Sequence, residues 1–145
     1  MTIEEVTDYV TGLGGVLVLR PTEGSEAPEI SWGDTFFYYA PDGVVPAGQP
    51  FATIVTKDYP GDETSDLNRP GSFRVNIAVS KTTFAAAAAP TDASIEDTVV
   101  AHPLYAAANW LAVVNPSTAT DTTVRELLRE AQDRARTRSE RRAAE

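Results

Sequence analysis

Phe73-Arg74-Val75-Asn76-Ile77-Ala78-Val79 (FRVNIAV, residues 73–79) is the stretch that decides how this chain folds. Phe73, Val75, Ile77 and Val79 alternate with Arg74, Asn76 and Ala78. Successive side chains of a strand point to opposite faces, so the alternation predicts a sheet with one buried face and one polar face. Arg74 and Asn76 then share the polar face.

Upstream, residues 56–72 (TKDYPGDETSDLNRPGS) form a long polar stretch carrying Pro60-Gly61 and Pro70-Gly71 as turn formers. Loops of this length inside a compact domain are uncommon and tend to be functional or disordered. Tyr59, Leu67 and Phe73 are possible anchors, which predicts an ordered excursion of the Ω type. Its acids, Asp58 or Asp66, are expected to pair with Arg74 and pin it to the sheet, because a half-buried charge needs a partner.

Further outward, residues 16–19 (VLVL), 51–56 and 111–114 read as apolar strands. Ile30-Ser31-Trp32 and residues 35–39 (TFFYY) flank Gly33-Asp34, the pattern of a two-residue hairpin. Large rings on both faces of residues 36–39 require that both faces be covered, or that one be a binding surface. Thr2 and Glu5 form a capping box for a first helix with Ile3, Val6, Val10 and Leu13 on one face, ended by Gly14-Gly15. Ser80 can cap a short helix through the alanine run, stopped near Pro90. A helical turn is expected from Pro103. Thr123 and Glu126 form a second capping box for a last helix with Val124, Leu127, Leu128, Ala131 and Ala135 as its apolar stripe.

Strands grouped between helices argue for an α+β fold: a single, mostly antiparallel sheet of five to six strands, with N-terminal and C-terminal helices packed on one face. Residues 1–137 are expected to form one domain, and residues 138–145 a polar tail that frays.

The chain of 145 residues has no cysteine, which removes disulfides, thiolate metal sites and cysteine nucleophiles. MTIEEVTDYV lacks the basic start and apolar run of a signal peptide, and no segment approaches a membrane span, so a cytoplasmic protein without a membrane partner is expected. The net charge of −9 is uneven: sixteen acids against five basic residues up to Asp121, then seven arginines against five acids. Such an acidic body repels phosphate backbones, and interleaved charges on the last helix read as a solvated face, so nucleic acid is not the expected partner.

Chemistry-bearing motifs are few. G-x-S-x-G is absent, and LGGVL matches neither the P-loop nor the dinucleotide fingerprint, so no cofactor is expected. The spacing of Asp58, Asp62, Glu63 and Asp66 departs from the calcium-loop pattern, and no metal site is expected. The candidate ligand-binding residues are Lys57, Asp58, Arg69, Arg74 and Asn76 around the long loop, with Trp32, Tyr38 and the single histidine, His102. Arginine can clamp an acidic group while asparagine donates and accepts beside it.

GLGGVLVLRP, EISWGDTFFYYAPDG, PFATIVTKDYPGD, LNRPGSFRVNI and HPLYAAANWLAVVNP together resemble a small family of uncharacterised bacterial-type proteins over most of the chain. More distantly, the order of elements, with HPLY and a tryptophan near the end, is similar to the YjbR-like proteins. That resemblance implies a compact α+β fold related to the frataxin-like arrangement, sometimes described as a double-wing nucleic-acid-binding fold. The close resemblance implies no activity. The expectation is an accessory binding domain for a small polar or anionic ligand or a protein partner. The alternatives are an enzyme on a small polar substrate, with Lys57, Asp58 and His102 as acid–base groups, and nucleic-acid binding through the arginine-rich last helix.

Overall fold

FRVNIAV is a central strand. The structure, a computed structural model, describes residues 1–89 and 92–144. In chain order the elements are α1 (Ile3–Gly12), β1 (Val16–Leu19), a 3-10 turn (Glu29–Ser31), β2 (Thr35–Tyr39), β3 (Ala52–Val55) and β4 (Arg74–Ala78). Then follow α2 (Lys81–Ala87), β5 (Val99–Ala101), a second 3-10 turn (Ala106–Ala108), β6 (Trp110–Val114) and α3 (Asp121–Ala144). The strands form one antiparallel sheet of six in the order β1-β2-β3-β4-β6-β5. The arrangement is α+β, as the grouping of strands between helices predicts.

Register assigns the two faces. Ile54 lies opposite Val75, Val75 opposite Val113, and Ile77 between Ala52 and Leu111. All are buried, and they form one cluster with Val6 and Val10 of α1 and Val124, Leu128 and Ala131 of α3. Each valine, leucine or isoleucine among them that is removed from water stabilises the fold by roughly 2 kcal/mol. Phe84 of α2 joins the same cluster, so all three helices cover this face. Thr53, Asn76 and Ala112 line up on the opposite face, beside Val55, Arg74 and Val114.

The α1 cap forms as its residues suggest: Thr2 Oγ1 accepts the Glu5 N–H at 3.1 Å. Gly15 then holds φ +69°, and a Cβ there would meet the Tyr39 ring at 2.5 Å, so only glycine suits this crossing to β1. Pro90 lies outside the described residues; α2 is capped at Ala88.

Three elements differ from the sequence reading. Ile30-Ser31-Trp32 is not a strand, and Gly33-Asp34 is not a hairpin turn. The carbonyls of Ile30 and Trp32 both accept from Lys57 Nζ at 2.8 Å, which removes them from any ladder. Residues 99–101, unassigned by pattern, form the edge strand β5 against β6. The last helix starts at Asp121 rather than near Thr123. Asp97, at φ +53°, accepts the N–H groups of Ser117, Ala119 and Thr120 and the Thr120 hydroxyl, and this distant cap sets the start of α3.

Candidate functional site

The sheet face away from the helices carries a cavity of about 620 Å³. β2 supplies Phe36 and Tyr38 as aromatic walls, β3 supplies Thr53 and Val55, and β6 supplies Trp110. Arg74, Asn76, Asp62 and His102 line it as a polar floor, each with less than a tenth of its surface exposed. The both-faced aromatic run of β2 therefore has two covers: Phe37 is buried in the helix-side core, and Phe36 and Tyr38 stand half-buried at the cavity.

The loop 56–72 makes the floor possible. Pro60 and Gly61, the latter at φ +82°, sit at the centre of a tight turn in which Asp62 N donates to Tyr59 O at 2.8 Å. That turn delivers Asp62 over β4. Arg74 Nη1 and Nη2 clamp its two oxygens at 3.0 and 2.6 Å, Nη1 also donates to Ser65 Oγ at 2.9 Å, and Nε donates to Asn76 Oδ1 at 2.8 Å. The pinning expected of Arg74 exists, with Asp62 as its partner instead of Asp58 or Asp66. Leu67, buried against Val55 and Val114, anchors the middle of the loop.

Asn76 Nδ2 passes the chain on to Thr53 Oγ1 at 3.0 Å. On the other side, Arg74 Nη2 lies 3.2 Å from His102 Nε2. His102 Nδ1 accepts the backbone N–H groups of Leu104 and Tyr105, both at 3.1 Å, and Tyr105 packs a tilted ring 4.7 Å from the imidazole.

Electrostatics follow from this packing. Burial pushes the Asp62 carboxyl up, but the hydrogen bonds and charge of Arg74 outweigh it and hold the group below its ordinary value. Burial and the Arg74 charge push His102 down to about 4, against the opposing pull of Asp62. His102 is thus neutral at pH 7, Arg74 is matched by Asp62, and the floor carries no net charge.

A folded-state value below the unfolded 6.5 means that the unfolded chain binds the proton first as pH falls. Stability is complete above about 6.5 and declines down to about 4, by at most about 3 kcal/mol. The Asp62 contribution is lost only below 3.8, outside that window. Urea unfolding between pH 7 and 4 is expected to show this decline in the native chain and a much flatter profile in His102→Asn.

A second buried node props the loop entrance. Asp34, with no exposed surface, accepts from Thr56 N at 2.9 Å, Thr56 Oγ1 at 3.0 Å, Lys57 Nζ at 3.1 Å and the Tyr59 hydroxyl. Burial, that hydrogen bond and the Asp34 charge together push the Tyr59 phenol up.

Of the sequence candidates, Tyr38, Arg74, Asn76 and His102 line the cavity. Lys57 is engaged by Ile30 O, Trp32 O and Asp34. Asp58 accepts the Leu67 N–H at 2.8 Å, and its own N–H donates to Asn68. Arg69 donates to the carbonyls of Asp66, Ser65 and Ser94, tying the loop to the segment before β5. Trp32 donates to Ala27 O at 3.3 Å. None of these four lines the cavity. Asp62, Thr53, Phe36, Tyr105 and Trp110, absent from the candidate set, do. For Phe36 and Thr53 the signal was strand parity, since Phe36 shares a face with Tyr38 and Thr53 lies on the same side of its strand as Val55. Asp62 and Tyr105 lie outside the strands, where parity says nothing. Among the described residues, no three His, Asp or Glu side chains gather where a metal could be held, and no helix is long and apolar enough to cross a membrane.

Fold and site together define an α+β protein whose antiparallel sheet is covered by helices on one face and hollowed into a ligand-sized cavity on the other. The chain belongs to a family of unknown function, DUF6194, whose model matches residues 1–144. No curated protein and no solved structure matches it.

Proposed function

We propose that this protein is a binding domain for a small, uncharged molecule with a flat apolar body, seated in the cavity between β2, β3, β4 and β6. The observation that carries this reading is the cavity's composition: aromatic walls of Phe36, Tyr38 and Trp110 above a buried polar floor. Ligand sites are commonly concave, mostly apolar and provided with a few convergent polar groups. Because Arg74 is matched by Asp62 and His102 is neutral, the floor favours an uncharged polar group over an anion.

Nucleic-acid binding, which a YjbR-like relationship would bring, would have to rest on α3. There Arg125 pairs with Asp121, and Arg136 with Asp133 and Glu140, which supports reading this helix as a solvated face.

Thermal-shift measurements with small uncharged ring compounds test the proposal. A compound at ten times its Kd adds about 1.4 kcal/mol, a rise of several degrees in Tm. The rise is expected to vanish in Thr53→Trp, whose indole fills the cavity from β3. Shifts that persist unchanged in folded Thr53→Trp, or no shift with any compound, would contradict it.

A further inference from the structure

His102 is surrounded by donors. The amide hydrogens of Leu104 and Tyr105 are fixed by the backbone, and both meet Nδ1 at 3.1 Å. A neutral imidazole has one nitrogen lone pair to offer and one N–H. With the lone pair at Nδ1 taken twice, the proton belongs on Nε2, a tautomer set by its partners. Nε2 then faces Arg74 Nη2 at 3.2 Å, and guanidinium has no acceptor. Four of the five Arg74 donors meet oxygens of Asp62, Ser65 and Asn76; the fifth is directed at this N–H. Two donors in one buried corner of the cavity, facing each other, call for one acceptor that both can reach.

We infer that the ligand presents an uncharged carbonyl oxygen to His102 Nε2 and Arg74 Nη2, with its flat body against Phe36, Tyr38 and Trp110. The inference rests on the binding reading above and specifies its polar contact. An oxygen that both N–H bonds meet at about 2.9 Å and near-linear angles has to enter between them and part Nε2 and Nη2 beyond their present 3.2 Å, standing as the acceptor does between the two donors of an oxyanion hole. A carboxylate would place a second negative charge beside Asp62, whose charge already matches Arg74, in a half-dry site. An amide, lactam or ketone brings the oxygen without that charge. Thr53 lies on the same floor; its oxygen accepts from Asn76, so its hydroxyl hydrogen is available for a second acceptor on the ligand.

Because His102 is the single histidine, its ring nitrogens give one unambiguous set of signals in a long-range 1H–15N spectrum of the labelled protein. At pH 7 the expected result is a neutral ring with the proton on Nε2. A proton on Nδ1 would overturn the inference, since Nε2 would then accept from Arg74 and need nothing more. Titration with benzamide, benzoate and toluene adds the chemical test. Benzamide is expected to bind at least about tenfold more tightly than either of the others and to shift the His102 Nε2 signal. Equal binding of toluene and benzamide at Thr53, Val55 and Trp110 would overturn the carbonyl contact while leaving the cavity reading intact. No perturbation of those residues by any of the three, in a protein with the Nε2 tautomer, would count against the cavity reading itself.

Discussion

Arg74→Met is expected to lower stability by about 3 to 5 kcal/mol, seen as a fall in Tm of roughly 10 to 20 °C. The guanidinium is 2% exposed and clamps both oxygens of Asp62, itself 7% exposed. Its removal leaves a buried carboxylate, the Ser65 hydroxyl and the Asn76 carbonyl oxygen without their donors. Breaking one partner of a buried pair costs far more than the pair contributes. The double variant Arg74→Met/Asp62→Leu is therefore expected to recover most of the loss, and the cycle isolates the coupling between the two charges. The pH dependence has a defined sign. Without Arg74, burial pushes the Asp62 carboxyl up against the smaller opposing pull of His102 alone, so its value rises, and the deficit of Arg74→Met shrinks as pH falls and the acid takes its proton. Urea unfolding of the three chains at pH 7 and pH 5 measures both effects.

Asp34→Ala is expected to cost a comparable amount, about 3 to 5 kcal/mol, for a different reason. Asp34 is the single carboxylate to which Thr56, Lys57 and Tyr59 all donate. Losing it leaves the Lys57 ammonium with carbonyl partners alone and the half-buried Tyr59 hydroxyl without its acceptor. The loop entrance loosens, and with it the turn that carries Asp62. Asp34→Asn separates charge from shape: the amide keeps an acceptor but not the negative charge. The Tyr59 phenol, held up by burial and by Asp34, is then expected to fall towards its ordinary value. Ultraviolet titration above pH 9 resolves this as one of five tyrosines that ionises late in the native chain and earlier in Asp34→Asn.

Both nodes show what a sequence can and cannot reveal. FRVNIAV was legible because alternation is local: parity alone assigned Val75 and Ile77 to the core and Arg74 and Asn76 to the other face, where the cavity lies. The Gly33-Asp34 pair, by contrast, misleads as a hairpin signal for Ile30-Ser31-Trp32. A run of three residues fits a turn as well as a strand, and the ammonium that captures its carbonyls lies 25 residues from Trp32. The start of α3 was hidden similarly, since Asp97 caps it from across the fold, while the local Thr123–Glu126 pattern pointed two residues too far along. In the loop, charge balance called for an acid opposite Arg74 but could not choose among several. The turn at Pro60-Gly61 makes that choice, and its consequence for Asp62 depends on where the loop lies over β4. Lys57, Asp58 and Arg69 looked like site residues because they are charged and close in sequence, but their hydrogen bonds go to carbonyls, amides and Asp34 within the loop and its supports.

The central claim is that the sheet face opposite the helices receives a small molecule. The most direct measurement is of intermolecular nuclear Overhauser effects between unlabelled benzamide and the methyl-labelled protein. The account predicts contacts from the ring protons to the methyls of Thr53 and Val55, which line the cavity, and none to Ile54, Val75 or Ile77 on the helix side. Contacts to the helix-side methyls, or no contact with either cavity methyl at saturating benzamide, would contradict it.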